Sequence, residues 1–196
     1  MQMELWEASA PSVPTRELVQ DTFFSAFQLE SLQSDSPRSN RSTKRHVTAE
    51  AANISGVLDQ NFATRRPLNI LVADDNEINR KVIRVILQKL GYHCVEATNG
   101  EEALEHYNSR AYDYVFMDLD MPEMDGITAA QAIRAIEENE THHAEIIAVT
   151  ANVSDDTRQR CRRAGMNGYL EKPITAAMIK NQLLRSWPRI RSRRGK

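Results

Sequence analysis

From residue 69 onwards, short apolar runs alternate with stretches in which apolar residues recur at helical spacing. Continuous apolar runs are typical of strands covered on both faces, and residues three or four positions apart share one face of a helix. The runs predict five strands, at residues 70–73, 93–97, 114–117, 146–149 and 168–171, of which the second is the weakest. The helical stretches predict a first helix on the stripe from Ile78 to Ile86, ended by Gly91, and further helices at residues 101–107, 127–136, 154–164 and 174–187.

The regular alternation of strands and helices with short connections predicts an α/β fold. Parallel strands need crossover connections of this kind, and helices then pack against the sheet. We therefore predict a doubly wound, five-stranded parallel sheet with helices on both faces. Ligands of such sheets bind at the carboxyl ends of the strands, so the residues at those ends are candidates for a functional site.

The first 66 residues contain no strand-like run and are interpreted as an N-terminal extension or linker. Val19, Phe23 and Phe27 lie four positions apart and predict a helix at residues 15–29. Residues 31–42 are rich in serine and predict a flexible linker, and a second short helix is predicted at residues 48–60. Isolated helices of this length are marginal in water, so the extension is expected to be either partly disordered or helical against a partner or the main domain.

The net charge of −2 conceals a segregation of charge along the chain. Residues 67–184 contain 19 acidic and 12 basic residues, whereas residues 185–196 contain 6 basic and no acidic ones. The main domain is expected at residues 67–187, and residues 188–196 are expected to form a solvated basic tail. Contact of this tail with nucleic acid or anionic lipid is the alternative interpretation.

Cysteine content and hydropathy indicate the cellular setting. The two cysteines, Cys94 and Cys161, are too few for a disulfide framework or a zinc site, which favours a reducing compartment. No apolar run approaches the roughly 20 residues that span a bilayer, and the N-terminus lacks the pattern of a secretory signal. A cytoplasmic location without a membrane span is therefore expected.

Five chemically active side chains lie at the predicted carboxyl ends of the strands. The first strand is followed by an acidic pair, and the third, fourth and fifth end at or near an acid, a hydroxyl and an amine: Asp74, Asp75, Asp118, Thr150 and Lys172. Three carboxylates in one pocket repel one another and require a compensating cation. Carboxylate oxygens with open water positions suit Mg²⁺, and no histidine or cysteine cluster competes for a softer metal.

Such a pocket has the parts needed for phosphoryl transfer. A carboxylate beside Mg²⁺ and a lysine can attack phosphorus and form an acyl phosphate. The lysine would offset charge on the transferring phosphoryl oxygens, and a threonine hydroxyl could bond to one of them and draw its loop along. Each acid taken alone could instead be a helix cap, but that interpretation does not explain all five groups together.

The chain resembles the receiver domains of response regulators over about residues 67–187. Four strings carry the resemblance, in order and at suitable spacing: LVADDNEINR, FMDLDMPEMDG, AVTA and GYLEKP. The resemblance implies a flavodoxin-like sheet with strand order 2-1-3-4-5. The NEINR string and the loop after Asp118 are most similar to receivers of hybrid sensor kinases and phosphorelays.

The same resemblance implies a role for individual residues. Asp118 would be the phosphoacceptor, and Mg²⁺ would be bound by Asp75 and Asp118, with Asp74 acting partly through water. The main-chain carbonyl of Asp120 would be a further metal ligand. Thr150 and Lys172 would contact the phosphoryl group, and Tyr169 would be the aromatic switch, unless it is simply packed half-buried.

Two positions near the site are expected to tune the lifetime of the phosphoryl group. Asp120 is an acid where a neutral or amide side chain is common in receivers, and Asn152, two residues after Thr150, could orient a water molecule. We therefore expect an unusual lifetime, without a predicted direction.

The leading functional hypothesis is a two-component or phosphorelay receiver that takes a phosphoryl group from phosphohistidine. Its partners would be a histidine kinase or histidine phosphotransfer protein and a downstream protein, with DNA unexpected and a homodimer open. Only nine residues follow Trp187, so we expect no separate output domain there. One alternative is the C-terminal receiver portion of a hybrid histidine kinase, and a remote one is a phosphatase with Asp118 as its nucleophile.

Overall fold

A computed structural model of the chain describes residues 59–138 and 140–194. The five apolar runs form one parallel sheet, with strands β1 (Ile70–Ala73), β2 (Cys94–Ala97), β3 (Tyr114–Asp118), β4 (Glu145–Thr150) and β5 (Gly168–Glu171). The strand order is β2-β1-β3-β4-β5, and every neighbouring pair is parallel. The predicted fold class and strand order are thus confirmed. The helix predicted at residues 15–29, the linker at 31–42 and nearly all of the helix at 48–60 lie outside the described residues.

Six helices complete this part of the chain: α1 (Phe62–Arg65), α2 (Glu77–Lys89), α3 (Gly100–Ser109), α4 (Gly126–Glu137), α5 (Asp155–Arg163) and α6 (Ala176–Arg194). Five of them are preceded by a residue whose side chain accepts a hydrogen bond from a main-chain N–H in the first turn, namely Asn76, Asn99, Asp125, Ser154 and Thr175. Such caps satisfy donors that the helix itself leaves unpaired. None of the described helices is long and apolar enough to cross a membrane.

Alternate residues of the central strands supply two apolar layers, one on each face of the sheet. Val115 and Met117 of β3 pack in the layer that α3, α4 and α5 cover. Tyr114 and Phe116 pack in the opposite layer, which α2 and α6 cover. Because both faces of β3 are covered, the strand is a continuous apolar run rather than an alternating one.

The domain begins earlier than residue 67, the boundary predicted from the sequence. Phe62 is only 3% exposed, and its ring packs edge-on against Tyr92 at 6.2 Å between centroids. Gly91 has a φ of +87°, and a Cβ there would lie 2.3 Å from the carbonyl oxygen of Gln60. The segment around α1 is therefore part of the packed domain. The sequence pattern missed it because a single buried aromatic residue in a polar segment has no periodicity.

The predicted solvated tail at residues 188–196 is also wrong as far as the structure describes it. Helix α6 continues past Trp187 to Arg194, with Pro188 inside it and Ile190 only 3% exposed. Burial of Ile190 and ion pairs of the helix's arginines hold this extension against the domain, although proline removes one helical hydrogen bond.

These ion pairs lie at the amino-terminal edge of the sheet. Glu145 is fully buried at the start of β4, and its carboxylate lies 2.6 Å from Nη2 of Arg189 and 3.2 Å from Nη1 of Arg193. Arg194 donates from Nε to buried Asp113 at 3.0 Å and from Nη1 to the carbonyl oxygen of Pro67 at 2.8 Å. The basic charges therefore compensate buried acids.

Candidate functional site

The structure brings the acids and the amine predicted at the strand ends together at the carboxyl edge of the sheet. One oxygen from each of Asp74, Asp75 and Asp118 lies within 4.8 Å of the others. The ammonium nitrogen of Lys172 lies 2.7 Å from Oδ2 of Asp118 and 2.9 Å from Oδ2 of Asp74. Thr150, at the end of β4, is 2% exposed, and its carbonyl accepts a hydrogen bond from the Lys172 amide at 2.8 Å.

Burial and mutual repulsion shape the electrostatics of this cluster. Asp74 is fully buried and Asp118 is 3% exposed. Burial raises the pKa of Asp118, the hydrogen bond from Lys172 lowers it, and the Asp74 carboxylate raises it again, with a net upward direction. Burial alone would lower the pKa of Lys172, but its hydrogen bonds to the two carboxylates raise it. The lysine therefore stays charged and holds the two acids close together.

The two oxygens of Asp74 have different surroundings. Oδ1 accepts hydrogen bonds from the amide of Asn76 at 2.9 Å and from Nδ2 of Asn79 at 3.1 Å. Oδ2 lies 2.9 Å from the Lys172 ammonium and has no further partner in the described part of the chain. The first turn of α2 thus fixes one oxygen and leaves the other directed into the site.

The donor set fits a hard divalent cation. Among residues 59–138 and 140–194, these three aspartates are the only group of three or more acids, histidines or cysteines close enough to hold a metal ion. All the donors are carboxylate oxygens, and Asp75 is exposed, which leaves room for water ligands. Mg²⁺ prefers this combination of one or two carboxylates with several waters.

A short loop joins Asp118 to helix α4. A Cβ at Gly126 would lie 1.9 Å from the carbonyl oxygen of Asp118, so the chain can pass this point only without a side chain. The amide of Gly126 donates to the carbonyl of Leu119 at 3.1 Å, and the amide of Gly100 donates to that of Met124 at 3.1 Å. The loop is therefore closed on itself and tied to the start of α3.

The family profile of the response regulator receiver domain matches residues 70–184, more than half of the chain. This chain belongs to the response regulator receiver family. The receiver is 36% identical over 130 residues to hybrid signal transduction histidine kinase I of Dictyostelium discoideum. The match takes in 64% of this chain and 8% of that kinase, so the chain spans a small part of the relative's length.

Two solved structures resemble the receiver. The receiver domain of sensor histidine kinase PA1611 from Pseudomonas aeruginosa, with a magnesium ion in its active site cleft, is 38% identical, with a TM-score of 0.55 over 61% of this chain and 96% of that one. A chain of the co-crystal structure of the Saccharomyces cerevisiae phosphotransfer protein Ypd1 with the receiver domain of Ssk1 is 28% identical, with a TM-score of 0.59 over 63% and 90% of the two chains. Membership of this family makes the chain a receiver of two-component signalling and sets aside the phosphatase alternative.

Three of the other predicted residues line a cavity beside the receiver's acidic cluster. This cavity of about 500 Å³ is lined in part by Asp120, Thr150 and Asn152. The amide of Asp120 lies 3.4 Å from Oδ1 of Asp118, and the amide of Asn152 donates to Oγ1 of Thr150 at 3.2 Å. Tyr169 lies outside this group, half-buried on β5 with the guanidinium of Arg158 5.3 Å from its ring centre.

Sequence reasoning missed the residues of α2 that hold the acidic pair of the receiver. Asn76 and Asn79 bond to the Asp74 carboxylate, and Arg80 donates to the main-chain carbonyls of Asp74 and Asp75. An asparagine directly after an acidic pair and before a helical stripe is a capping signal, so Asn76 could have been found. The other two depend on the geometry of the first helical turn, which no pattern specifies.

Proposed function

We propose that this receiver accepts a phosphoryl group from a phosphohistidine onto Asp118, with Mg²⁺ held by Asp74, Asp75 and Asp118. The observation that supports it most strongly is the cluster itself: three carboxylate oxygens within 4.8 Å of one another, with a lysine ammonium 2.7 Å from Asp118. A bound Mg²⁺ would supply positive charge that screens the carboxylates and the phosphoryl oxygens.

The acceptor step would use Asp118 as a nucleophile. A carboxylate oxygen forms a bond to phosphorus while the bond from phosphorus to the histidine nitrogen breaks, and the electron pair leaves with the imidazole. Oδ2 is held by Lys172, whereas Oδ1 has only the long 3.4 Å contact with the Asp120 amide. The lysine charge lies where negative charge arrives, and positioning and charge compensation supply most of the catalysis in such transfers.

The response would be carried by Thr150 and Tyr169. Oγ1 of Thr150 is held within its own loop, since it donates to the carbonyl of Asn152 at 3.3 Å and accepts from the Asn152 amide at 3.2 Å. A new bond from this hydroxyl to a phosphoryl oxygen would replace that local contact and pull the loop towards Asp118. Tyr169 would then rotate inward, which changes the surface formed by α5 and β5.

The wider context would be a phosphorelay. The similarity to a hybrid histidine kinase and to a phosphotransfer complex supports a histidine kinase or histidine phosphotransfer protein as the donor. The chain would then work either as a regulator or as the receiver portion of a hybrid kinase. Its output would be a contact with another protein or onward transfer of the phosphoryl group.

Phosphoryl transfer from a panel of phosphorylated kinases and phosphotransfer proteins tests the proposal. The wild-type chain should become labelled in the presence of Mg²⁺ and lose the label when Mg²⁺ is chelated. Asp118→Asn, which keeps the size of the side chain, should stay unlabelled. Labelling of Asp118→Asn equal to that of wild type would refute the assignment of the acceptor.

Asp120 and Asn152 would tune the lifetime of the phosphorylated state, and the Asp120 carbonyl would complete the metal site. The exposed side chain of Asp120 adds negative charge to the lining of the cavity, which would alter both metal affinity and the approach of water. We expect Asp120→Asn to change the hydrolysis rate of phosphorylated protein by several-fold, followed by the decay of the label over time. Equal rates in the two proteins would exclude a tuning role for this carboxylate.

A further inference from the structure

Arg80 lies directly behind the acidic pair of the candidate metal site. Its Nη1 donates to the carbonyl oxygen of Asp74 at 2.7 Å and to that of Asp75 at 3.1 Å. On its other side, Nε lies 3.6 Å from the Glu96 carboxylate, and the side chain is only 13% exposed. We infer that Arg80 is a positioning residue that sets the affinity of the acidic cluster for Mg²⁺ by holding the Asp74–Asp75 turn in place. This inference rests on the proposed function and deepens it.

The two hydrogen bonds from Arg80 to the carbonyl oxygens of Asp74 and Asp75, here called the clamp, matter most for Asp75. Its carboxylate is exposed and receives no hydrogen bond among the described contacts, so the main chain alone determines where it lies. By contrast, the Asp74 carboxylate is held independently through Asn79. A guanidinium bonded to both carbonyls restricts the torsion angles between the two residues and thereby directs both carboxylates toward Asp118.

If Arg80 acted through its charge alone, its loss would have the opposite effect on Mg²⁺ affinity. A cation near three carboxylates competes with Mg²⁺, so loss of an arginine whose role was only electrostatic would strengthen metal binding. Loss of a positioning residue weakens it, because groups that orient metal ligands typically contribute about 10–100-fold in affinity. Whether loss of the arginine weakens or strengthens Mg²⁺ binding therefore separates a positioning role from a purely electrostatic one.

Arg84 provides a matched control. It lies one turn further along α2, its Nε is 3.4 Å from the same Glu96 carboxylate, and it makes none of the described contacts with the acidic turn. Arg80→Gln and Arg84→Gln each remove one positive charge and one contact with Glu96, but only the former removes the clamp.

The experiment measures the dissociation constant of Mg²⁺ alone, by calorimetry on the unphosphorylated full chain, together with the unfolding midpoint in the absence of metal. Arg80→Gln should weaken Mg²⁺ binding about tenfold or more, whereas Arg84→Gln should change it less than about twofold. Arg80→Lys keeps the positive charge but offers a single point donor, so its Mg²⁺ binding should remain weaker than that of wild type. Because Arg80→Lys is the milder change, it also serves if Arg80→Gln does not fold.

Three results would overturn the inference: equal affinities in the two glutamine variants, tighter binding by Arg80→Gln, or full recovery in Arg80→Lys. A wild-type chain that binds Mg²⁺ but takes no phosphoryl group on Asp118 would refute the proposed function and leave the clamp intact. A wild-type chain that binds no Mg²⁺ would refute both.

Discussion

Gly126 is the residue at which the candidate site tolerates least change. A Cβ added at Gly126 would lie 1.9 Å from the carbonyl oxygen of Asp118, which leaves no space for a methyl group. Side-chain volume here must be absorbed by main-chain movement, and the main chain that moves carries the proposed acceptor.

Gly126→Ala is therefore expected to lower the free energy of unfolding by about 2 kcal/mol or more and to abolish labelling of Asp118. Gly168→Ala is the control, because a Cβ there meets the ends of the Gln182 and Ile147 side chains, at 2.8 Å and 3.2 Å, rather than backbone. Gly168→Ala should lower the free energy of unfolding by about 1 kcal/mol or less. Urea unfolding measures both variants, and equal losses would contradict the steric argument.

The clustering of the acids and the lysine at the strand ends could be predicted from the sequence, because the carboxyl ends of parallel strands lie at one edge of the sheet. Asp118 and Lys172 are 54 positions apart in sequence, yet the fold class alone places them together. What could not be predicted is the local support of the acidic pair. The hydrogen bonds of Asn79 and Arg80 depend on the torsion angles of one helical turn, and residue order does not determine these.

At the scale of elements, the strands could be predicted from the sequence, whereas helix α1 and the last turns of α6 could not. Strands β1, β3 and β4 are apolar runs that are buried on both faces of the sheet. The outer strands β2 and β5 each contain a glutamate and are less completely buried. Helix α6 exceeds its predicted length because ion pairs of its arginines, together with the buried side chain of Ile190, stabilise its last turns. Such pairing depends on Glu145 and Asp113, which are distant in sequence and look like ordinary surface acids.

Loss of the pairing at Glu145 should destabilise the domain. Arg189→Ala with Arg193→Ala leaves a fully buried carboxylate without its cations. We expect a loss of about 2–3 kcal/mol, less than for a fully buried pair because both arginines are partly exposed. Arg185→Ala with Arg191→Ala removes the same charge from exposed positions of α6 and should cost less than about 0.5 kcal/mol. Denaturant unfolding of the two double variants decides the point; similar losses would mean that the ion pairs contribute nothing specific.

At the scale of the whole domain, the two edges of the sheet have different tasks. The carboxyl edge holds the acidic cluster, whose groups must respond to a ligand. The amino edge holds buried ion pairs that fix the start of β4 and the end of α6. Beside the carboxyl edge, Ile78 is 72% exposed, the most exposed of the large apolar side chains in the described part of the chain.

An exposed apolar residue next to the acceptor site is suited to contact with the protein that donates the phosphoryl group. Ile78→Asp should slow transfer from a phosphorylated donor protein about tenfold and leave labelling by acetyl phosphate unchanged. Leu184→Asp on α6, at a side chain 38% exposed, is the control and should affect neither reaction. Equal slowing with acetyl phosphate would indicate damage to the site instead of a lost docking contact.

The bond from Arg194 to the carbonyl of Pro67 joins the last turn of α6 to the segment between α1 and β1. Helix α1 itself contacts the chain just before β2, so the first and last described segments of the domain both lie at the edge remote from the acidic cluster. A module with adjoining ends can be inserted into a surface loop of a host polypeptide without forcing the host apart. The same proximity favours circular permutation, in which a short peptide joins the two ends and new termini open elsewhere.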